Sequence, residues 1–218
     1  MKNIVFTLSL FTLVQLYSLG NAFAQVSIND IKGNKLRNTE GYDGIEGSAY
    51  FYPEWKSGEV IFASGKQAKM DFLKYDLVED RVFFSDESKK AEYNFTEPVR
   101  AFNISGAVFQ NNFPAIGNLN KDSYFQVIAK GKSSLLKKQE TVIGERTQVG
   151  LPPGRYFKKM LKYYVFDGQK MAVVKIDAKS LAEVLNIKKE QIEQYAKEKD
   201  LNLKDDLGLK SVFEYFSK

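Results

Sequence analysis

Two side chains that carry much of enzyme chemistry, His and Cys, occur nowhere in the 218 residues. Their absence excludes Ser-His-Asp and Cys-His nucleophilic catalysis, zinc held by imidazole or thiolate, haem attached through Cys, and thiol redox work. What remains for an enzyme is a pair of carboxylates, a Ser/Lys dyad, or a metal ion held by oxygen alone. Asp71, Asp76, Glu79 and Asp80 lie close together in the chain, and a glycosidase needs two carboxylates facing each other across a cleft. A chain with 27 acids forms such clusters by chance, however, and acids in turns are ordinarily solvated. Ser133 and Ser134 precede Lys137 and Lys138, which has the composition of a Ser/Lys nucleophile. The same residues also make a hairpin tip with solvated strand ends.

Asn118, Asn120 and Asp122 offer oxygens at alternate positions, as a calcium loop does. Ser123 stands where that loop needs Gly, and Ala129 where it needs a bidentate Glu. No metal or other cofactor is expected on these grounds, and no catalytic residue is assigned. Tyr50, Phe51, Tyr52 and Trp55, with Tyr156, Phe157, Tyr163 and Tyr164 later, have the faces to line a ligand groove. Alternating aromatics in strands more commonly pack against one another. Trp55, in a turn-like stretch between Pro53 and Gly58, is the one candidate for an exposed ligand contact.

These residues are carried by a chain whose period reads as strands from about Ala49 to Ile176. Short runs of Val, Ile, Phe and Tyr alternate with turn residues. Hairpin tips fall at Ser64-Gly65-Lys66, Lys130-Gly131-Lys132 and Asp167-Gly168, where tight turns call for positive φ. A polar loop with Pro114 spans residues 110–122, and a second loop holds Gly150, Pro152, Pro153 and Gly154. Repeated hairpins favour an antiparallel meander over parallel βαβ units. After Ile176 the period becomes helical: Asp177 caps a helix with Leu181, Val184 and Leu185, and a second helix covers about Lys188 to Lys199. Asp205 caps a third, in which Leu209, Val212, Phe213 and Phe216 share one face. Helices this short need packing to be stable.

The first 24 residues have the three parts of a secretory signal. Lys2 provides the charge, Ile4–Leu19 the uncharged apolar run, and Ala22-Phe23-Ala24 an A-x-A motif that places cleavage between Ala24 and Gln25. The run is shorter than the roughly 20 apolar residues of a membrane span, and no later stretch is long and apolar enough for one. Lipid attachment after a signal requires a Cys, which is absent. An exported chain without disulfides must rely on core packing, which fits a bacterial protein better than a small animal-type secreted scaffold. The net charge of +5, spread along the chain, lacks the dense basic stripe of a nucleic-acid binder.

Two groups of motifs add to this. Glu46-Gly47-Ser48-Ala49-Tyr50-Phe51-Tyr52-Pro53-Glu54-Trp55, with Gly58-Glu59-Val60 and Leu73-Lys74-Tyr75-Asp76, is one group. Leu135-Leu136-Lys137-Lys138, the Tyr163–Ile176 hairpin and the Lys-rich helical tail form the other. Together they resemble a group of uncharacterised exported proteins of Bacteroidetes-type bacteria, which implies envelope export and a β-rich body.

The expected fold is α+β: an antiparallel hairpin meander, as a curved sheet or partial barrel, followed by three short C-terminal helices. Its expected parts are a signal peptide (1–24), a β-rich domain (25–176) and a helical segment packed on it (177–218). The expected role is that of an exported, non-enzymatic binding or structural module, periplasmic or secreted. Its partner would be an envelope component or an apolar ligand held between sheet and helices, with no nucleic acid and no membrane span in the mature chain. The alternative is a carboxylate-based hydrolase acting on envelope glycans.

Overall fold

A computed structural model describes residues 32–36, 42–147 and 152–217. Twelve strands join one sheet: β1 (Lys32–Leu36), β2 (Ile45–Glu46), β3 (Lys56–Phe62), β4 (Gln67–Asp76), β5 (Arg81–Phe84) and β6 (Tyr93–Phe95), then β7 (Val99–Ile104), β8 (Ala107–Gln110), β9 (Phe125–Lys130), β10 (Ser134–Arg146), β11 (Gly154–Phe166) and β12 (Met171–Val174). Eleven of them lie in the order β1-β6-β5-β4-β3-β7-β8-β9-β10-β11-β12, all antiparallel, and β2 pairs in parallel with the start of β11. The expected meander is present as two runs, β3 to β6 and β7 to β12, set edge to edge where β3 pairs with β7. Three helices follow: α1 (Ala178–Leu185), α2 (Lys189–Glu198) and α3 (Asp206–Phe216). No helix among the described residues is long and apolar enough to cross a membrane.

The sheet must curl, and chain length shows why. β6 and β7 are joined by only Thr96, Glu97 and Pro98, yet four ladder steps separate them in the sheet. Four steps of a flat sheet span about 19 Å, whereas the four residue intervals from Phe95 to Val99 reach at most about 14 Å. Strands β3–β8 therefore roll towards themselves without closing a ladder. A contact across the roll bears this out: Phe62 on β3 meets Phe95 on β6 with ring centroids 5.7 Å apart. The inward face of the roll is a core of rings and branched aliphatics. Tyr75 sits at its centre, with Phe102, Phe109 and Tyr124 at 4.8–6.0 Å.

Strands β9–β12 bury their faces differently. Successive residues on a strand point to opposite sides, so Leu135 and Val165 face one way while Leu136 and Tyr164 face the other. The helices cover the first side, where Leu181, Ile192, Leu209, Val212 and Phe213 are all but fully buried. The loop between β8 and β9 covers the other, with Phe113 and Leu119 over Phe125. Both Asp caps form: Asp177 accepts from the Ser180 N–H and Asp205 from the Gly208 N–H. Of the three glycine tips, Gly65 and Gly168 have positive φ. Gly131 does not; a Cβ there would come within 2.5 Å of the Ser217 carbonyl oxygen, so close approach of the chain's end is what requires glycine.

The strands β10 and β11 are each 13 residues long, reaching well into stretches that read as loop. Their outer halves carry polar residues on both faces, so they lack the alternation that marks a half-buried strand. Pairing continues from Ser134↔Phe166 to Arg146↔Gly154 without a break, and it is this ladder that defines them.

Candidate functional site

The site grows from the turn between β4 and β5. The Asp76 carboxylate, fully buried, accepts from the N–H groups of Val78 and Glu79 and from the Tyr42 hydroxyl. That shapes a four-residue turn ending at Asp80, which takes a left-handed φ of 56°, a conformation Asp tolerates better than most residues. The turn thereby lets the Asp80 carboxylate reach β9 and β10 as well as Tyr75 of its own hairpin.

There it meets Lys138. The ammonium donates to Asp80 Oδ2 at 2.6 Å and to the Tyr124 carbonyl at 2.9 Å, with its side chain only 4% exposed. Asp80 also accepts from the Tyr75 hydroxyl and the Tyr124 N–H. A buried ammonium needs a charged partner and further acceptors, and this one has the Asp80 carboxylate and the Tyr124 carbonyl. Burial, then the neighbouring Asp80 charge, raises the Tyr75 pKa well above its usual value, so its hydroxyl stays a donor. A backbone bond from the Thr141 N–H to the Leu77 carbonyl closes the same seam at 3.2 Å. The clamp thus ties the curled run of strands to the helix-covered run.

Against this clamp opens a cleft of about 650 Å³. Three separated segments line it: Glu79–Val82 at the β4–β5 turn, Asn94–Val99 across the β6–β7 corner, and Asn120 with Asp122–Tyr124 before β9, with Asn111 added. Each is held by local bonds. Glu97 accepts from the Ser64 backbone at 2.9 Å. Asn111 donates to the Val99 carbonyl. The Asn120 side chain accepts from the Asp122 N–H, and the Ser123 hydroxyl accepts from the Asn120 N–H. Hydrogen bonding to Ser64, its hydroxyl first and its backbone second, holds the Glu97 carboxyl below the usual range. Chemically the cleft offers carboxylates, amides, hydroxyls and the Arg81 guanidinium on a fixed frame.

The residues singled out from the sequence are distributed unevenly around this frame. Of the four clustered acids, Glu79 and Asp80 line the cleft, Asp76 is consumed in forming the turn, and Asp71 is exposed on β4. Lys137 and Lys138 do not serve the adjacent serines: Lys137 binds Asp206 at 2.6 Å and Lys138 binds Asp80. Asn120 and Asp122 form a self-bonded turn, and Asn118 is exposed outside the cleft lining. Among the described residues no group of three or more acids is arranged to hold a metal ion. Trp55 is half-buried and lies outside the cleft lining; the Lys74 ammonium sits 4.7 Å from its ring and 4.4 Å from that of Tyr50. Ala22, Ala24 and Gln25, the expected cleavage residues, lie outside the described residues.

Sequence reasoning missed the Asp80–Lys138 pair because 58 positions separate the partners. It also missed Arg81, Glu97 and Asn111. The available hint was Lys138 itself, two positions after Leu136 on the same face of β10. No protein-family model, curated protein or solved structure matches the chain.

Proposed function

We propose that this chain is an exported, non-enzymatic binding module of the bacterial envelope or exterior, and that it binds through the cleft beside Asp80. The observation that carries the reading is the cleft's construction. Its lining comes from three segments, each braced by hydrogen bonds, beside a buried ion pair that joins the first segment, at Asp80, to the third, at the Tyr124 carbonyl. Its volume lies within the roughly 300–1,000 Å³ of small-ligand sites. The space between sheet and helices, the other place considered for a ligand, is occupied by Leu181, Ile192, Leu209, Val212 and Phe213, so an apolar guest gains no support there. Export itself rests on the signal-like first 24 residues.

The test is retention of envelope material on the immobilised protein, compared with Arg81→Ala and Asp122→Ala variants. Retention by the parent and loss in both variants is the expected result. Equal retention by all three would remove the cleft from the account.

A second reading, a carboxylate-based hydrolase acting on envelope glycans, is favoured by one observation: Glu79, Glu97 and Asp122 line the same cleft. A glycosidase's acid needs a carboxyl whose pKa is raised, whereas that of Glu97 is lowered. New reducing ends after incubation with a purified envelope glycan, lost in Glu79→Gln or Asp122→Asn, would establish this reading in place of the first.

A further inference from the structure

Charge is the first filter on what the cleft accepts. Glu79, Glu97 and Asp122 line it against the single guanidinium of Arg81. Asp80, the fourth acid, is already neutralised by Lys138 at 2.6 Å. The formal charge of the lining is therefore net negative, and a phosphate, sulfate or uronate entering it would meet repulsion.

The second filter is hydrogen-bonding type. The carboxylates are acceptors and Arg81 is a donor, while Asn94, Asn111 and Asn120 bring planar amides, of which Asn111 already donates to the Val99 carbonyl and Asn120 already accepts from the Asp122 N–H. Planar groups of mixed polarity suit vicinal hydroxyls, each of which donates and accepts at once. The third filter is shape: the cleft is open to solvent and not enclosed. Pro98 and Phe95, the latter packed on Phe84 and Phe62 at 4.7 and 5.7 Å between ring centroids, add apolar atoms between the polar groups.

We infer that the cleft is a saccharide site, selective for neutral or amine-bearing sugars over anionic ones. This rests on the reading of the cleft as a binding site.

The probes are the linear tetramers of N-acetylglucosamine, glucosamine and galacturonate, titrated into the full chain and followed by calorimetry and amide chemical shifts. The first two are expected to bind with shifts at residues 79–82, 94–99 and 120–124, and the galacturonate tetramer at least tenfold more weakly. Asp122 is exposed, so Asp122→Asn leaves the fold intact; it is expected to weaken the glucosamine tetramer at least threefold. The inference is overturned if neither amino-sugar tetramer binds at millimolar concentration, if galacturonate binds most tightly, or if the shifts lie elsewhere. Failure of the tetramers while envelope material is still retained through the cleft overturns the saccharide assignment and leaves the binding reading standing. Binding followed by cleavage supports the saccharide assignment and overturns the non-enzymatic reading.

Discussion

Strands β3–β8 and strands β9–β12 face the same problem, an apolar sheet face in water, and take it out of water in different ways. The first group curls until its own face becomes an interior, and large rings fill the span: Phe62, Tyr75, Phe84, Phe102 and Phe109. The second stays open and is covered by a helical layer, where Leu135, Leu181, Ile192, Leu209 and Val212 interdigitate with Phe213. Curling demands side chains that reach across a roll, whereas a helix brings its own atoms to the sheet. The seam between the two solutions is where polar groups must be buried, and there the Asp80–Lys138 clamp and the cleft are found.

If the two halves are energetically matched, emptying either core should cost alike. Phe213→Ala in the helical layer and Phe102→Ala in the roll are each expected to lower stability by about 4 kcal/mol, read from urea unfolding. One shared transition in both variants is expected; loss of only one half's signal would show that the halves fold independently. Next in size is the seam. Lys138→Ala leaves Asp80 without its partner and is expected to cost about 3 kcal/mol, while Lys138→Met with Asp80→Asn should recover most of that. A double variant no better than the single one would mean that the ion pair is not what joins the halves.

The roll alone contains Tyr75, and this gives a pH test of the comparison. Burial and Asp80 raise its pKa in the folded chain above the usual 10.0, so between the two values the unfolded chain releases a proton that the folded chain keeps. Stability from this group is complete below about pH 10 and falls as pH rises beyond it. Tyr75→Phe is expected to flatten that alkaline decline; an unchanged slope would place its cause elsewhere, Tyr163 beside α3 being the counterpart with a raised pKa in the other half. The smallest effect belongs to a helix end: Asp205→Ala removes the cap on Gly208 and should cost about 1 kcal/mol, without altering amide exchange in the roll.

The helical half was legible because its signals are local. Asp205 announces a start, and Leu209, Val212, Phe213 and Phe216 repeat at helical spacing within one element. Hairpin tips were legible for the same reason, though at Gly131 the cause proved to be the nearby Ser217 and not backbone φ. The roll was only half visible: its strands show in Val60–Phe62 or Val82–Phe84, but the β3–β7 pairing that makes it a roll joins Gly58 to Ile104. The outer halves of β10 and β11 were invisible because exposed strands with polar residues on both faces have no period to read. Little of the cleft could be foreseen, since its three walls lie far apart in sequence and its clamp is a single long-range contact. Glu79 and Asp80 drew notice as a cluster; their separate roles, one in the lining and one in the clamp, depend on the turn that Asp76 builds.

The most direct test of the cleft at this seam is amide hydrogen exchange of the full chain, alone and with envelope material bound. Slower exchange at residues 79–82, 94–99 and 120–124, with the three helices unchanged, is the expected result. Protection confined to the outer half of the β10–β11 hairpin, with those three segments unaffected, would contradict it.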